Sequence, residues 1–216
     1  MALKQNTWTL NQWYDQDVAG NVSYSGLSKL FVWGNHNQGT NYSGKLGLNN
    51  DVYGYSSPVQ LPGSNWVKIN ASGMGWTHGV KEDGTLWAWG SQKNAGGALG
   101  LNQPSSNSAT EYSSPVQIGT DTTWGTTRAT FGNASGTATM VASNIKTDGT
   151  LWTWGRSDYG ALGHNNTTKY SSPTQIPGTN WSTSSGDIVI GSHLAGAIKS
   201  DGTLWLWGNN EYGQVG

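Results

Sequence analysis

Short runs of alternating apolar and polar residues recur along the chain, each broken by a turn. The clearest is KTDGTLWTWG at 146–155, and close copies begin at Lys81 and Lys199. An Asp-Gly pair between two apolar runs predicts a hairpin with a type I′ turn, which needs positive φ at both central residues. In the second strand of each hairpin the tryptophans occupy one face and the residues between them the other. The pattern predicts an all-β chain without amphipathic helices.

The hairpin belongs to a longer repeat. Each copy ends in a Trp-Gly pair, followed in constant order by a Gly-x-x-Gly segment, a Tyr-Ser-Ser-Pro segment and a lone tryptophan. The Trp-Gly pairs begin at Trp33, Trp89, Trp154 and Trp207, the Gly-x-x-Gly segments at Gly44, Gly97, Gly160 and Gly213, and the lone tryptophans are Trp66, Trp124 and Trp181. Several elements that recur in one order indicate a repeat architecture with loop insertions.

A strand that is apolar on both faces must be covered on both faces. Here one face carries bulky indoles and the other smaller groups, which suits small sheets stacked beside one another. Repeats of about 55 residues, all β and marked by glycine and tryptophan, predict the blades of a β-propeller. We expect the structural core to contain Trp33, Trp87, Trp89, Trp152, Trp154, Trp205 and Trp207.

Taken together, the segments DGTLWTWG, GALG and YSSPTQIPG resemble the repeats of the regulator of chromosome condensation family, closest to its bacterial and phage members. The resemblance covers most of the chain, from about residue 28 onward. It implies a β-propeller, usually of about seven blades, that works by binding proteins or ligands and not by catalysis. Eukaryotic members exchange guanine nucleotides on a small GTPase and dock on nucleosomes, and secreted bacterial relatives cover enzyme active sites.

The chain departs from the family pattern in two ways. Trp76, Val141 and Leu194 occupy the position of the family's repeated histidine, so no role of that histidine can be carried over. The chain also holds only about three and a half blades, which predicts an open arc or part of a seven-bladed ring. The predicted divisions are an N-terminal strand segment over 1–28 and propeller repeats over 29–80, 81–145, 146–198 and, in part, 199–216.

Composition removes several classes of partner. The 216 residues carry a net charge of -1, so electrostatics give no reason to expect nucleic acid or an acidic membrane surface. Without cysteine there are no disulfides and no thiol chemistry. Neither a signal-peptide core nor a bilayer-spanning stretch is present, which predicts no membrane insertion and favours a virion-associated or cytoplasmic location.

Residues that could carry chemistry have simpler explanations. The four histidines, His36, His78, His164 and His193, lie far apart in the sequence, without metal-ligand spacing. Asp83, Asp148 and Asp201 are explained as turn residues. No phosphate-binding loop, Gly-x-Ser-x-Gly elbow or His-Glu-x-x-His pattern occurs. We therefore predict no enzyme activity, no cofactor and no metal.

The copies differ most in the loops after each Trp-Gly pair, where binding residues concentrate on repeat scaffolds. Neutral drift of these loops is the alternative explanation. The predicted contact residues are His36, Tyr42, Tyr53, Lys93, Glu111, Arg156 and Tyr159.

We expect a non-catalytic recognition or assembly scaffold that binds a protein partner through these loops, such as a phage structural or host-recognition protein or a bacterial surface protein. Open blade faces also make self-association possible. The 13 tryptophans leave a glycan-binding module as the alternative, because aromatic faces stack on sugars. A propeller enzyme is a distant third interpretation.

Overall fold

The computed structural model describes residues 28–35, 44–50, 52–72, 75–91, 96–103, 111–126, 131–135, 139–184, 188–191 and 193–216. Over these residues the chain forms β1 to β13 and no helix, which confirms the predicted all-β class. Apart from Ser28, the predicted N-terminal strand segment over 1–28 lies outside the described residues.

The strands pair antiparallel into four sheets, which we call blades I to IV. Blade I contains β1 (Phe31–Asn35) and β2 (Gly54–Gln60). Blade II contains β3 (Trp66–Ala71), β4 (Trp76–Lys81), β5 (Leu86–Ser91) and β6 (Glu111–Gln117). Blade III contains β7 (Phe131–Ser135), β8 (Thr139–Ile145), β9 (Leu151–Ser157) and β10 (Tyr170–Gln175), and blade IV contains β11 (Ile188–Ile190), β12 (Leu194–Ile198) and β13 (Leu204–Gly208). Strands follow chain order within each blade, and the first strands β3, β7 and β11 contact one another in series.

The sheets and the sequence repeats are out of phase. In blade II the lone Trp66, which ends one sequence repeat, begins β3, whereas β5 and β6 belong to the next repeat. The predicted division between 29–80 and 81–145 therefore falls inside blade II, at the hairpin between β4 and β5. Each sequence repeat thus connects two neighbouring blades covalently.

The Asp-Gly turns differ from the predicted type I′ geometry. The N–H of Gly84 donates to the carbonyl of Lys81 at 2.9 Å, and the N–H of Lys81 donates to the carbonyl of Thr85 at 3.0 Å. Gly84 has a φ of 76°, but Asp83 does not have positive φ. The loop is therefore a three-residue hairpin, in which a type I turn is followed by a glycine in the left-handed region. The same turn recurs at Gly149 and Gly202.

One repeated hydrogen bond joins neighbouring blades. The indole N–H of Trp154 in blade III donates to the carbonyl of Ala98, in the Gly-x-x-Gly segment of blade II, at 2.9 Å. A Cβ added at Gly100, which ends this segment, would lie 2.8 Å from Trp154 Nε1. Glycine both leaves room for the ring and adopts the required φ of 75°. The equivalent joints pair Trp89 with the Lys45 carbonyl at 3.0 Å and Trp207 with the Ala161 carbonyl at 2.9 Å.

The seven tryptophans predicted for the core are not equally buried. Trp89 and Trp154 are 0% exposed. Partial burial is found at Trp87, Trp152 and Trp207. Trp33 and Trp205 depart from the prediction, because they are 61% and 50% exposed.

The exposed pair lacks neighbours that the equivalent tryptophans have. Trp89 packs on the Gly-x-x-Gly segment of blade I, whereas the residues before blade I, which would have to cover Trp33, lie outside the described ranges. Trp87 is flanked by β6, where Gln117 is its pairing partner. Trp205 lies in β13, and within the described chain no strand pairs with the outer edge of β13. Each indole is therefore buried by elements outside its own hairpin, which are the Gly-x-x-Gly segment of the preceding blade for Trp89 and the following strand β6 for Trp87.

His78 lies at the interface of blades II and III. Its ring is 0% exposed and meets the Trp154 ring edge-on, with 5.5 Å between centroids. Burial lowers the pKa of His78 to about 4, and hydrogen-bonding contacts with the backbone of Ala98 and Leu99 oppose this only in part. The neutral ring is thus the form that fits between the blades.

We expect Trp154→Ala to reduce the free energy of unfolding by about 3–5 kcal/mol, because it empties a packed site and removes the hydrogen bond to Ala98. Trp205→Ala is the matched control, since its indole is 50% exposed and should cost clearly less. Denaturant unfolding followed by circular dichroism measures both. Equal losses, or an unchanged Trp154→Ala, would contradict the position assigned to the joint.

The protein should lose stability as the pH falls from about 6.5 to about 4 through protonation of His78. The unfolded chain binds this proton near pH 6.5, whereas the folded chain binds it only near pH 4. Stability from the neutral ring is therefore fully present above pH 6.5 and is lost as the pH falls toward 4. This pKa difference between the folded and unfolded states corresponds to on the order of 3 kcal/mol of unfolding free energy. Unfolding curves at several pH values should show a flatter pH dependence for His78→Leu than for the parent; parallel curves would argue against the buried neutral ring.

Candidate functional site

The strands place loops and turns at opposite ends of each blade. In blade II, β5 runs from the Asp-Gly turn to Ser91, and β6 returns from Glu111 to Gln117. The connections after each Trp-Gly pair therefore lie at one end, which we call the loop end. The Asp-Gly hairpins and the linkers that enter the next blade lie at the other, which we call the turn end.

The described members of the predicted contact set lie at the loop end. Tyr53 is 70% exposed, and Glu111 is exposed at the start of β6. Tyr159 is 44% exposed and lies against the ring of His193, with 4.8 Å between centroids. The other members, His36, Tyr42 and Lys93, lie outside the described residues. A binding role for this set stays a prediction.

Arg156, the remaining member, forms an ion pair with Asp158 of the same chain. Its guanidinium donates to both carboxylate oxygens of Asp158, from Nη2 to Oδ2 at 2.6 Å and from Nε to Oδ1 at 3.1 Å. This pairing raises the pKa of Arg156 and lowers the pKa of Asp158. Its side chain also covers Gly96 of blade II, where an added Cβ would lie 2.1 Å from Arg156 Cβ. Arg156 therefore fixes the loop end between blades II and III.

The turn end carries a repeated feature that the sequence reasoning missed. The lysine at the start of each Asp-Gly hairpin places its ammonium over two indoles, as in Lys146, whose Nζ lies 4.7 Å from the ring centroid of Trp124 and 3.9 Å from that of Trp152. Each is a cation–π contact, and we call the arrangement a lysine–tryptophan site. The other two sites are Lys81 with Trp66 (4.9 Å) and Trp87 (4.3 Å), and Lys199 with Trp181 (5.2 Å) and Trp205 (4.6 Å).

A short chain of hydrogen bonds orients the second indole of each site. In blade III, Asp148 Oδ1 accepts from the backbone N–H of Thr150 at 2.9 Å and from its hydroxyl at 2.6 Å. The same hydroxyl oxygen accepts from Trp152 Nε1 at 2.9 Å. These bonds from Thr150 lower the pKa of Asp148. The same series of hydrogen bonds recurs at Asp83, Thr85 and Trp87, and at Asp201, Thr203 and Trp205.

Blade III has an additional carboxylate at its lysine–tryptophan site. Asp121, in the linker that enters this blade, accepts from Lys146 Nζ through Oδ2, and from the N–H (2.8 Å) and hydroxyl (2.6 Å) of Thr123 through Oδ1. Burial would raise the pKa of Asp121, but the hydrogen bonds from Lys146 and Thr123 outweigh it and lower the pKa to about 2. The corresponding linkers at 61–65 and 176–180 contain no Asp or Glu.

A second lysine connects blades II and III near their first strands. Lys68 in β3 is 7% exposed, and its Nζ donates to the carbonyl of Gly125 at 3.0 Å. Burial lowers the pKa of Lys68 to about 7. The contact ties the first strand of blade II to the linker that enters blade III.

The described residues include no group of three His, Cys, Asp or Glu side chains that could hold a metal ion. Among the same residues no helix is long and apolar enough to cross a membrane. Absence of metals, cofactors, nucleic acid and membrane insertion stays a prediction from the sequence.

Known proteins are similar to this chain in sequence. The family model described as "Regulator of chromosome condensation (RCC1) repeat" matches residues 148–197. The ultraviolet-B receptor UVR8 of Arabidopsis thaliana is 31% identical, over 82% of this chain and 38% of that protein. The mitochondrial RCC1 domain-containing protein RUG3 of the same plant is 30% identical, over 85% of this chain and 41% of that protein. The chain therefore spans well under half the length of these relatives.

Solved structures agree on the fold. Human WBSCR16 superposes with a TM-score of 0.60 at 22% identity, over 88% of this chain and 45% of that one. Yeast RCC1 (Prp20), solved bound to Kap60, gives a TM-score of 0.59 at 18% identity, over 85% and 40% of the two chains. At such identities the likeness shows the fold alone. The predicted fold, a partial, open propeller of this type, is confirmed.

Asp121→Asn should weaken the acid sensitivity of the fold. The carboxylate titrates at about 2 when folded and near 3.8 when unfolded, so its stabilisation is present above that window and is lost as the pH falls through it. Because this pair is partly exposed and screened by solvent, we expect Asp121→Asn to lower the free energy of unfolding above this window by about 1 kcal/mol. Unfolding curves across this window should converge for parent and variant at the acid end, with Glu211→Gln, at an exposed loop-end carboxylate, as the control. A difference that persists at the acid end would contradict the ion pair.

Proposed function

We propose that this chain, which belongs to the regulator of chromosome condensation (RCC1) repeat family, is a non-catalytic scaffold that binds a protein partner through its loop end. One observation carries the proposal: the blades differ most at the loop end, in the connections after each Trp-Gly pair. The connection from β5 to β6 covers 92–110 and that from β9 to β10 covers 158–169. The three Asp-Gly hairpins, in contrast, close with the same pair of backbone hydrogen bonds. Variable loops on a rigid frame are typical of proteins that bind through those loops.

Relatives support a protein as the class of partner. Yeast RCC1 (Prp20) has been solved bound to Kap60, and Prp20p of Saccharomyces cerevisiae has binding properties toward Gsp1p and histones. This chain covers 40% and 44% of those two chains, so the partners themselves are not carried over.

Exposed tyrosines at the loop end fit this role. Tyr53 and Tyr159 are 70% and 44% exposed, and Tyr212, the counterpart of Tyr159 after β13, is 82% exposed. Tyrosine is enriched at protein interfaces, because its ring gives a large contact area with little loss of side-chain entropy. Glu111 adds a charged group at the same end.

From composition we propose a virion-associated or cytoplasmic location. The role proposed with it is that of a phage structural or host-recognition protein or of a bacterial surface protein. Low charge and the absence of cysteine support this proposal. A glycan-binding module is the second candidate, favoured by exposed rings such as Tyr53 and Trp33. Trp33, however, is the counterpart of the joint tryptophans, so packing against protein is the better account of that ring.

We expect the parent protein to capture a defined protein from an extract of its source organism, and Tyr53→Ser/Tyr159→Ser to capture at least about tenfold less of it, as for interface anchors. Thr147→Ser, at the exposed turn end, is the control and should capture as much as the parent. Quantitative mass spectrometry of the captured proteins provides the measurement. Equal capture by the loop-end variant would refute the proposed surface, and saturable binding to a glycan array that the same variant abolishes would favour the glycan-binding alternative.

A further inference from the structure

The three lysine–tryptophan sites differ in whether a linker carboxylate reaches the lysine. In blade III, Asp121 accepts from Lys146, whose side chain is only 10% exposed. In blades II and IV the linker segments 61–65 and 176–180, which precede Trp66 and Trp181, carry no acidic residue, and Lys81 and Lys199 are partly exposed. The ammonium nevertheless lies over two indoles at all three sites.

Glycine stands beside the lysine at both of the sites without a linker carboxylate. A Cβ added at Gly63 would lie 4.0 Å from Lys81 Nζ, and one added at Gly178 would lie 3.7 Å from Lys199 Nζ. No side chain therefore projects from these linker positions toward the ammonium. An outside group can approach Lys81 and Lys199 from the linker side, which is the side from which Asp121 approaches Lys146.

The turn aspartates do not take the place of Asp121. Asp83 and Asp201 accept hydrogen bonds from the threonine two residues later, and their charge lies near the lysine of the same hairpin. Asp148 has the same position in blade III, where Lys146 still donates to Asp121. One lysine of this kind therefore accommodates the turn aspartate and a second carboxylate together.

We propose that Lys81 and Lys199 each bind the carboxylate of an Asp or Glu side chain of a partner protein, in the manner in which Lys146 binds Asp121. The two indoles hold the ammonium in place before binding, so less side-chain entropy remains to be lost. They also shield one side of the ion pair from water, which strengthens it relative to a fully exposed pair. The turn end thus recognises an acidic protein segment.

Charge distribution favours an acidic protein segment over a nucleic acid. Asp121 neutralises Lys146 between the two remaining sites, so the lysines do not form the continuous basic stripe that follows a phosphate backbone. The net charge of the chain is -1, which adds no general attraction for polyanions. The turn end lies opposite the loop end, so this proposal and the proposed function can fail separately.

An oligo-aspartate peptide tests the proposal, with oligo-asparagine as the uncharged control ligand. Isothermal titration and tryptophan fluorescence at low salt should show saturable binding of oligo-aspartate and none of oligo-asparagine. Fluorescence responds because a carboxylate bound to Nζ changes the surroundings of two indoles. Lys81→Met/Lys199→Met, which keeps most of the aliphatic chain on the rings, should raise the Kd at least about tenfold. Equal Kd values for this variant and the parent would overturn the proposal.

Two matched variants sharpen the result. Lys169→Met removes one positive charge from an exposed lysine at the loop end, away from the indoles, and should change the Kd by less than about twofold. Asp121→Asn frees Lys146 and should tighten binding of the peptide. A charge control as damaging as the site variant, or an Asp121→Asn with unchanged affinity, would show nonspecific attraction and overturn the assignment.

A footprint on the unmodified parent covers the case in which a lysine variant fails to fold. Acetylation of lysine amines, mapped by mass spectrometry, should be slowed by oligo-aspartate at Lys81 and Lys199 but not at Lys169. Equal protection of all three lysines, or protection of none, would contradict the proposal. Inorganic phosphate at matched ionic strength should not displace the peptide, and efficient displacement would show that the sites do not select carboxylates.

Discussion

The hydrogen bond from an indole N–H of one blade to a Gly-x-x-Gly carbonyl of the blade before it sets how the blades stack. Both groups are buried in the Trp154–Ala98 pair and partly buried in the other two, and a buried polar group without a partner is costly, which favours this bond where the blades close on each other. Its length varies only from 2.9 to 3.0 Å across Trp89, Trp154 and Trp207. The second glycine of each segment makes the ring's position possible, because a Cβ there would collide with the indole.

This joint is connected to the turn end through shared tryptophans. Trp124 meets both Trp152 and Trp154 edge-on, with centroid distances of 6.0 and 6.1 Å. Trp154 makes the joint with blade II, and Trp152 lies under Lys146. The lysine–tryptophan site and the joint therefore share one packed ring, Trp124, whereas the loops contribute to neither and can vary in length.

The sequence predicted the strands, the repeat and the family, because periodicity and turn chemistry are local. It did not predict the turn type, since an Asp-Gly pair is compatible with two-residue and three-residue hairpins and the bond between Lys81 and Thr85 decides between them. It overestimated the burial of Trp33 and Trp205, because the covering element belongs to another part of the chain. The lysine–tryptophan sites escaped notice although every hairpin copy begins with lysine, since a charged residue before a turn is usually solvated.

The linker that enters each blade decides the state of its lysine–tryptophan site. The apolar residues Leu61, Ile118 and Ile176 begin the three linkers, and the segment from Ile118 to Trp124 is one residue longer than its counterparts. In that longer segment Asp121 accepts hydrogen bonds from both Thr123 and Lys146, while the shorter ones place Gly63 and Gly178 beside the ammonium. The joints and hairpins are the same in either case. A change confined to a linker can therefore close or open a charged site without altering how the blades pack, and the number of open sites on the turn end becomes a property that varies independently of the fold.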